Sequence, residues 1–214
     1  MPTYRAGGLL LPPDRAITTA MQTPRFFGYG SLVNRATHAY PDALPACLSG
    51  WRRVWVHTGL RDVAYLSVEP AEGEILGLVA DVPGGDWVAL DRREAAYDKH
   101  PVSVSLRENG QLRQAVIYAV PQAHAARPDT RHPVLLSYID TVVQGFLEVF
   151  GREGADHFFA TTAGWDCPIL NDRAEPLYPR ATDLSPAERA IVDAGLKAVT
   201  EQPQKPGLPP AAFG

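Results

Sequence analysis

The chain has 214 residues, of which 45% are hydrophobic and 21% charged, so it carries enough apolar material for a real core and is not a disordered polymer. Its formal charge of −4 argues against nucleic acid or anionic lipid as the main partner, because binding phosphate needs clustered positive charge. Two cysteines, Cys47 and Cys167, are too few for a disulfide framework or a tetrahedral zinc site, and no apolar run approaches the roughly 20 residues of a membrane span.

The first twenty residues, MPTYRAGGLLLPPDRAITTA, have no basic cluster followed by a long apolar stretch, so a secretory signal is not expected. A cytoplasmic protein with one folded unit is the expectation. Residues 1–24 hold Pro2, Pro12, Pro13 and Pro24 without periodicity and read as a lead-in. Residues 202–214 hold Pro203, Pro206, Pro209 and Pro210, which exclude helix and central strand. Between them, residues 25–201 show no repeat or linker.

In chain order, the first element is a short apolar strand, Phe26-Phe27-Gly28-Tyr29. Arg52 to His57 alternates, with Val54 and Val56 on one face and Trp55 on the other. Ala64 to Val68 and Ile75 to Val82 are rich in β-formers, and Pro83-Gly84-Gly85 ends the second of these. Asp86 to Tyr97 reads as a helix with an acidic residue placed to cap it. Val102 to Leu106 alternates strictly, and Glu108-Asn109-Gly110 turns it into Gln114 to Val120, a hairpin. His132 to Gly151 carries Leu135, Tyr138, Ile139, Val142, Phe146 and Val149 with helical period and stops at glycine. Ser185-Pro186-Ala187-Glu188 has the residues of a capping box. Short strands with hairpins, and helices set around them, predict an α+β fold with a mainly antiparallel, barrel-like sheet.

Two segments can carry chemistry. In Phe27-Gly28-Tyr29-Gly30-Ser31-Leu32 two glycines flank a tyrosine, which lets the backbone turn sharply and present the N–H groups of Gly30 to Leu32 to an anion. A turn that merely ends a strand satisfies the same pattern. Position 33 is valine, so the dinucleotide fingerprint fails, and no P-loop lysine follows. In Leu90-Asp91-Arg92-Arg93-Glu94-Ala95-Ala96-Tyr97, a helix would align Trp87, Leu90, Glu94 and Tyr97 on one stripe. A carboxylate among apolar side chains is desolvated, and its pKa rises toward what a general base needs. The competing reading makes Glu94 a half-exposed ion partner of Arg92, Arg93 or Lys99.

The remaining candidates are less pointed. Six histidines (His38, His57, His100, His124, His132 and His157) show no paired ligand spacing, so no metal is expected. Cys167 has no neighbour that would activate it, and Ser31 is not in a nucleophile elbow. Asp172-Arg173 and Tyr178-Pro179-Arg180 form a polar cluster in a Pro-rich loop that could close a site.

An F-G-Y-G-S-L turn followed some sixty residues later by L-D-x-x-E-x-x-Y resembles the γ-glutamylcyclotransferase-like family. Leu48-Ser49-Gly50-Trp51-Arg52-Arg53 resembles the strand opening after the family's glycine loop, and Ile75 to Val79 the strand before its acidic helix. The resemblance covers residues 25–120, and Asp172 to Arg180 looks like an element of bacterial members. It implies a small mixed β-barrel with surrounding helices and a cavity at one end. It further implies that Tyr29, Gly30, Ser31 and Leu32, with Tyr97, hold a small-molecule γ-glutamyl substrate, and that Glu94 is the general acid/base. The implied reaction closes the substrate on its own α-amine to give 5-oxoproline and an amine or amino acid, with no cofactor. Alternatives on the same fold are an enzyme specific for glutathione or γ-glutamyl-lysine, and a binding module without turnover. Ala95-Ala96 stands where the family often has glycine, which bears on substrate subclass.

Overall fold

Five strands close on one another into a barrel in the computed structural model, which describes residues 24–201. The predicted lead-in, apart from Pro24, and the predicted tail lie outside the described residues. The strands are β1 (Arg25–Gly28), β2 (Leu44–Val56), β3 (Tyr65–Asp81), β4 (Asp98–Leu106) and β5 (Leu112–Ala119). They run in the order β3-β1-β5-β4-β2, and β2 pairs with β3 again to close the ring. Only β1 and β5 are parallel within that ring. The expected α+β class with a mixed, mainly antiparallel barrel is therefore what forms.

The two apolar runs expected around 64–82 are one 17-residue strand, and the Arg52–His57 run belongs to a 13-residue one. Such lengths need a place to bend. Gly50 supplies it at φ 81°, where the β2–β3 register shifts between Ser49 and Trp51. Gly77 answers a different need, because a Cβ there would lie 2.3 Å from the Gly28 carbonyl oxygen. The missing side chain lets the end of β1 lie close against its antiparallel neighbour β3.

The acidic helix is shorter than its periodicity predicts. Pro83–Gly85 forms a 3-10 turn, and α1 covers only Val88–Arg93, with Glu94 as its C-cap. Asp86 does act at the start, accepting the Val88 N–H at 2.9 Å. The helix stops because Asp98 already pairs with Ala119 in the barrel, so the chain must leave the helix axis within one turn of Glu94.

The long helix α2 (Leu136–Ala160) begins four residues later than the pattern suggests. Val134–Leu135 (β6) is taken up by parallel pairing with Ile169–Leu170 (β8). Gly151, at φ 67° and ψ −162°, breaks the helix where expected, but a second leg follows it to Ala160. That leg packs through Gly154 against Phe150. The short β7 (Thr162–Ala163) then adds in parallel to β2, and α3 (Pro186–Thr200) opens with the predicted Ser185/Glu188 capping box. Ile139, Val142, Val143 and Phe146 of α2 are fully buried, each worth about 1.5–3 kcal/mol of burial. They pack with Trp55, Phe158 and Trp165 across one end of the barrel. The glycine turn packs against the first turns of α2, with Gly30 beside Tyr138 and Asn34 bonded to Thr141.

Candidate active site

After β1 the chain turns through Tyr29 and Gly30 into a single 3-10 turn, Ser31–Val33. Steric limits explain both glycines. A Cβ on Gly28 would meet the Leu32 Cβ at 2.6 Å, and one on Gly30 would meet the Tyr138 hydroxyl at 2.8 Å. The N–H groups of Val33 and Asn34 bond back to Gly30 and Ser31. Those of Gly30, Ser31 and Leu32 meet no backbone acceptor among the described residues. The Tyr138 phenol lies against the N–H and hydroxyl of Ser31.

This turn is fastened from behind. Tyr29 donates its hydroxyl to the Tyr118 carbonyl at 2.6 Å. Asn34 donates to the Thr141 carbonyl of α2 at 2.8 Å. The guanidinium of Arg53, fully buried, donates to the Tyr29 carbonyl at 2.7 Å, to the Thr161 hydroxyl at 2.8 Å and to the Leu76 carbonyl. Phe146 and Phe158 cover it, at 4.8 and 5.5 Å from ring centroids. Burial pulls its pKa down to about 9, so it remains charged at neutral pH. Sequence reasoning missed this residue, since an arginine in an alternating strand reads as solvent-facing. Its partners are three separated segments, which spacing does not reveal.

Glu94 enters the same cleft from α1. Together with Gly28 to Leu32, Leu66, Tyr97, Tyr118 and Tyr138 it lines a space of about 350 Å³, partly open to solvent. Its side chain is 16% exposed and Arg93 is its ion partner at 3.3 Å. Glu94 is thus desolvated and ion-paired at once, and not half-exposed as the competing reading has it. Burial raises its pKa above the ordinary 4.5, against the opposing fields of Arg93, Arg180 and Arg61. Arg93 is also tied to the glycine turn's side, donating to the Ser31 hydroxyl at 3.2 Å and to the Thr37 carbonyl at 3.2 Å. That pair joins the two candidate segments directly.

Tyr97 reaches the cleft through the turn after Glu94 rather than along a helix face, and donates to the Leu66 carbonyl at 3.0 Å. Burial pushes its phenol well above the ordinary range, and does the same to Tyr29, so both are neutral donors. All six residues named from sequence, Tyr29, Gly30, Ser31, Leu32, Glu94 and Tyr97, come together. Leu66, Tyr118 and Tyr138 had carried no motif. Tyr118 donates to Asp91 at 2.5 Å, and Asp91 in turn pairs with Lys99 at 2.7 Å, which holds α1 against β5.

The polar loop after β8 is anchored by its first two residues. Asp172 accepts from the Ser137 N–H and hydroxyl and the Leu177 N–H, at 2.6 to 2.9 Å. Arg173 grips Asp140 with two hydrogen bonds at 2.7 Å and reaches Asp193 of α3. Tyr178 packs edge-on to Tyr138, 5.0 Å away, so the loop borders the cleft.

Among the described residues one group approaches metal-ligand geometry: His57, Asp129 and His132, with ligand atoms within 4.8 Å of each other. No sequence spacing announces it, because His57 comes from the end of β2. The two imidazoles stack at 4.1 Å and 7°, so their lone pairs run side by side instead of converging. Asp129 is already engaged by the His132 ring and two backbone N–H groups. Asp129 and His132 are hydrogen-bonded to each other, and His57 stacks on His132 with its Nδ1 buried and without a hydrogen-bond partner among the described residues. Burial raises both thiol pKa values, Cys167 to about 12, and neither cysteine lines the cleft.

No family model matches the chain, and no curated protein matches it. Solved structures do. A γ-glutamyl cyclotransferase is 19% identical over 80% of this chain and 98% of its own, with a TM-score of 0.52. YkqA from Bacillus subtilis is 19% identical over 66% of this chain and 56% of its own, with a TM-score of 0.50. At such identities the likeness is one of fold.

Proposed function

We propose that this chain, which has the γ-glutamyl cyclotransferase-like fold, cyclises a γ-glutamyl compound to 5-oxoproline and releases the attached amine or amino acid. The observation that carries this reading is the buried Glu94 carboxylate, its pKa raised by that burial, in one cleft with a glycine turn whose Gly30 and Leu32 N–H groups meet no backbone acceptor among the described residues. The turn would hold the glutamyl part through Gly30, Ser31 and Leu32, with Tyr29 and Tyr97 closing the sides.

In the reaction the substrate's α-amine attacks its own γ-carbonyl, the amine lone pair forms the lactam C–N bond, and the amide C–N bond breaks toward the leaving nitrogen. Two protons leave the α-ammonium and two arrive on the released amine, so one relay group that is alternately base and acid balances the step. Glu94 is that group. Five-membered ring closure is intramolecular, so the protein's share is to fold the substrate and hold it near attack distance. Water takes no part.

The test is incubation with a panel of γ-glutamyl amino acids, glutathione, γ-glutamyl-lysine and γ-glutamylamines, scoring 5-oxoproline by mass spectrometry. The reading expects 5-oxoproline without label in heavy-oxygen water, and no turnover of a substrate acetylated on its α-amine that still binds as a competitor. Labelled glutamate as the primary product would assign the site to hydrolysis. Binding of the panel with no product from any member would favour a module that only binds.

A further inference from the structure

Two exposed arginines stand close to the cleft, each next to an aromatic residue that packs on its lining. Arg61 is exposed, with its guanidinium carbon 5.7 Å from the Tyr65 ring centroid. Tyr65 in turn meets Tyr97 edge-on at 6.0 Å, and Tyr97 lines the cleft. Arg180 is exposed too, two residues beyond the Tyr178 that packs on the cleft-lining Tyr138. The Arg180 backbone is fixed on both flanks. Ala181 donates to the Tyr178 carbonyl at 3.0 Å, Thr182 donates to the Thr141 hydroxyl of α2 at 3.3 Å, and Asp172 and Arg173 anchor the loop's start.

Elsewhere around the site the arginines are committed: Arg93 to Glu94, Ser31 and Thr37, and Arg173 to Asp140 and Asp193. Among the described residues, neither Arg61 nor Arg180 has an ion pair or hydrogen bond through its guanidinium, although Asp62 is the chain neighbour of Arg61. Two cations without ion-pair partners therefore stand one side chain away from the cleft lining, and the positive field of both reaches Glu94.

We propose that Arg61 and Arg180 form a cationic rim that recognises a free carboxylate on the leaving group, which makes γ-glutamyl amino acids and peptides, rather than γ-glutamylamines, the substrate class. The inference rests on the cyclotransferase reading above. With the glutamyl part at the glycine turn, the released group is the part that extends to the rim. An amino-acid leaving group puts its carboxylate two bonds from the scissile nitrogen, where a guanidinium can take it with two parallel hydrogen bonds. A simple amine offers the rim nothing.

The test compares γ-glutamylglycine with γ-glutamylglycinamide, which differ only in that carboxylate. Binding is measured by calorimetry on the Glu94→Gln chain, which would hold both compounds unchanged, with and without Arg61→Gln and Arg180→Gln. Turnover is measured in the chain with Glu94 intact. With both arginines present, affinity for γ-glutamylglycine should exceed that for the amide by about tenfold, the scale of two partly exposed ion pairs. The preference should shrink in 1 M salt. Replacing both arginines should bring the two compounds to parity, with the turnover change appearing in KM and not in kcat. Equal affinity in the arginine-intact chain overturns the proposal, as does an equal loss for both compounds, which would put the arginines on the glutamyl carboxylate. A binding preference with no 5-oxoproline sinks the enzymatic reading and leaves the rim standing. Failure to bind either compound overturns both.

Discussion

The wall of the cleft that carries the glycine turn and the wall that carries Glu94 meet in one space but are held there by different means. Behind the turn, the Tyr29 carbonyl is fixed by Arg53 of β2, the Tyr29 hydroxyl by Tyr118 of β5, and Asn34 by α2. These partners lie 24, 89 and 107 residues away, so this wall exists only when the whole barrel is closed. Glu94 hangs instead on a six-residue helix and its own turn, with Asp91 and Arg93 as the ties to β5 and to the glycine turn. The first wall is held by long-range hydrogen bonds around a close steric fit at its glycines, and the second by charge. Changes of shape should therefore hurt the first most, and changes of ionisation the second.

The largest effect is expected for Gly30→Val. The new side chain would have to displace the Tyr138 hydroxyl and a Leu66 methyl, and the misplacement should lower kcat/KM by about 10³-fold or more. Circular dichroism of the variant should keep the β-signal of the barrel. Near-normal turnover would show that the turn does not touch substrate.

On the other wall, Glu94→Gln keeps the shape and removes proton relay. Turnover should fall by about 10²–10⁴, with KM little changed. A folded Glu94→Gln protein with near-normal turnover would remove Glu94 from the mechanism.

The same substitution also has a stability signature. Because burial raises the Glu94 pKa in the folded chain, the folded state holds its proton longer than the unfolded state, and the group's contribution is fully present only below its ordinary 4.5. It is lost as pH rises through the raised value. Thermal unfolding should show the wild-type chain losing ground to Glu94→Gln over that window and staying behind it at neutral pH. The opposite trend would mean that Arg93 outweighs burial.

Smaller again is Ser31→Ala. The backbone N–H survives and the hydroxyl contacts to Arg93 and Tyr138 are lost, so kcat/KM should drop by about three- to tenfold. A loss as deep as that of Glu94→Gln would give the hydroxyl a chemical role. Least of all is expected from Cys47→Ser combined with Cys167→Ser, which should leave turnover intact and cost only some stability.

How legible these walls were follows from the same contrast. The hairpin at 102–120, the Ser185 capping box and the break at Gly151 depend on a few adjacent residues, and all were readable. Glu94 and Tyr97 were found through a helical stripe, yet the helix ends at Glu94 and the turn after it brings Tyr97 in. The local spacing pointed to the right residues by way of an element that is only half formed. Arg53 was hidden because three acceptors from distant segments, and not its neighbours in β2, make burial tolerable. Tyr138 was visible as a core residue of α2 but not as a cleft residue, since its role depends on how the helix crosses the barrel end.

Arg53 has one more consequence. No peptide bond among the described residues is cis, so the Tyr29–Gly30 amide carries its oxygen and its hydrogen on opposite edges. A permanent cation sits 2.7 Å from the oxygen edge, draws electron density across the amide and leaves the Gly30 hydrogen more positive. The hydrogen points away from the guanidinium. The fold thus delivers part of a buried positive charge to the far side of one peptide plane, without placing the ion itself there.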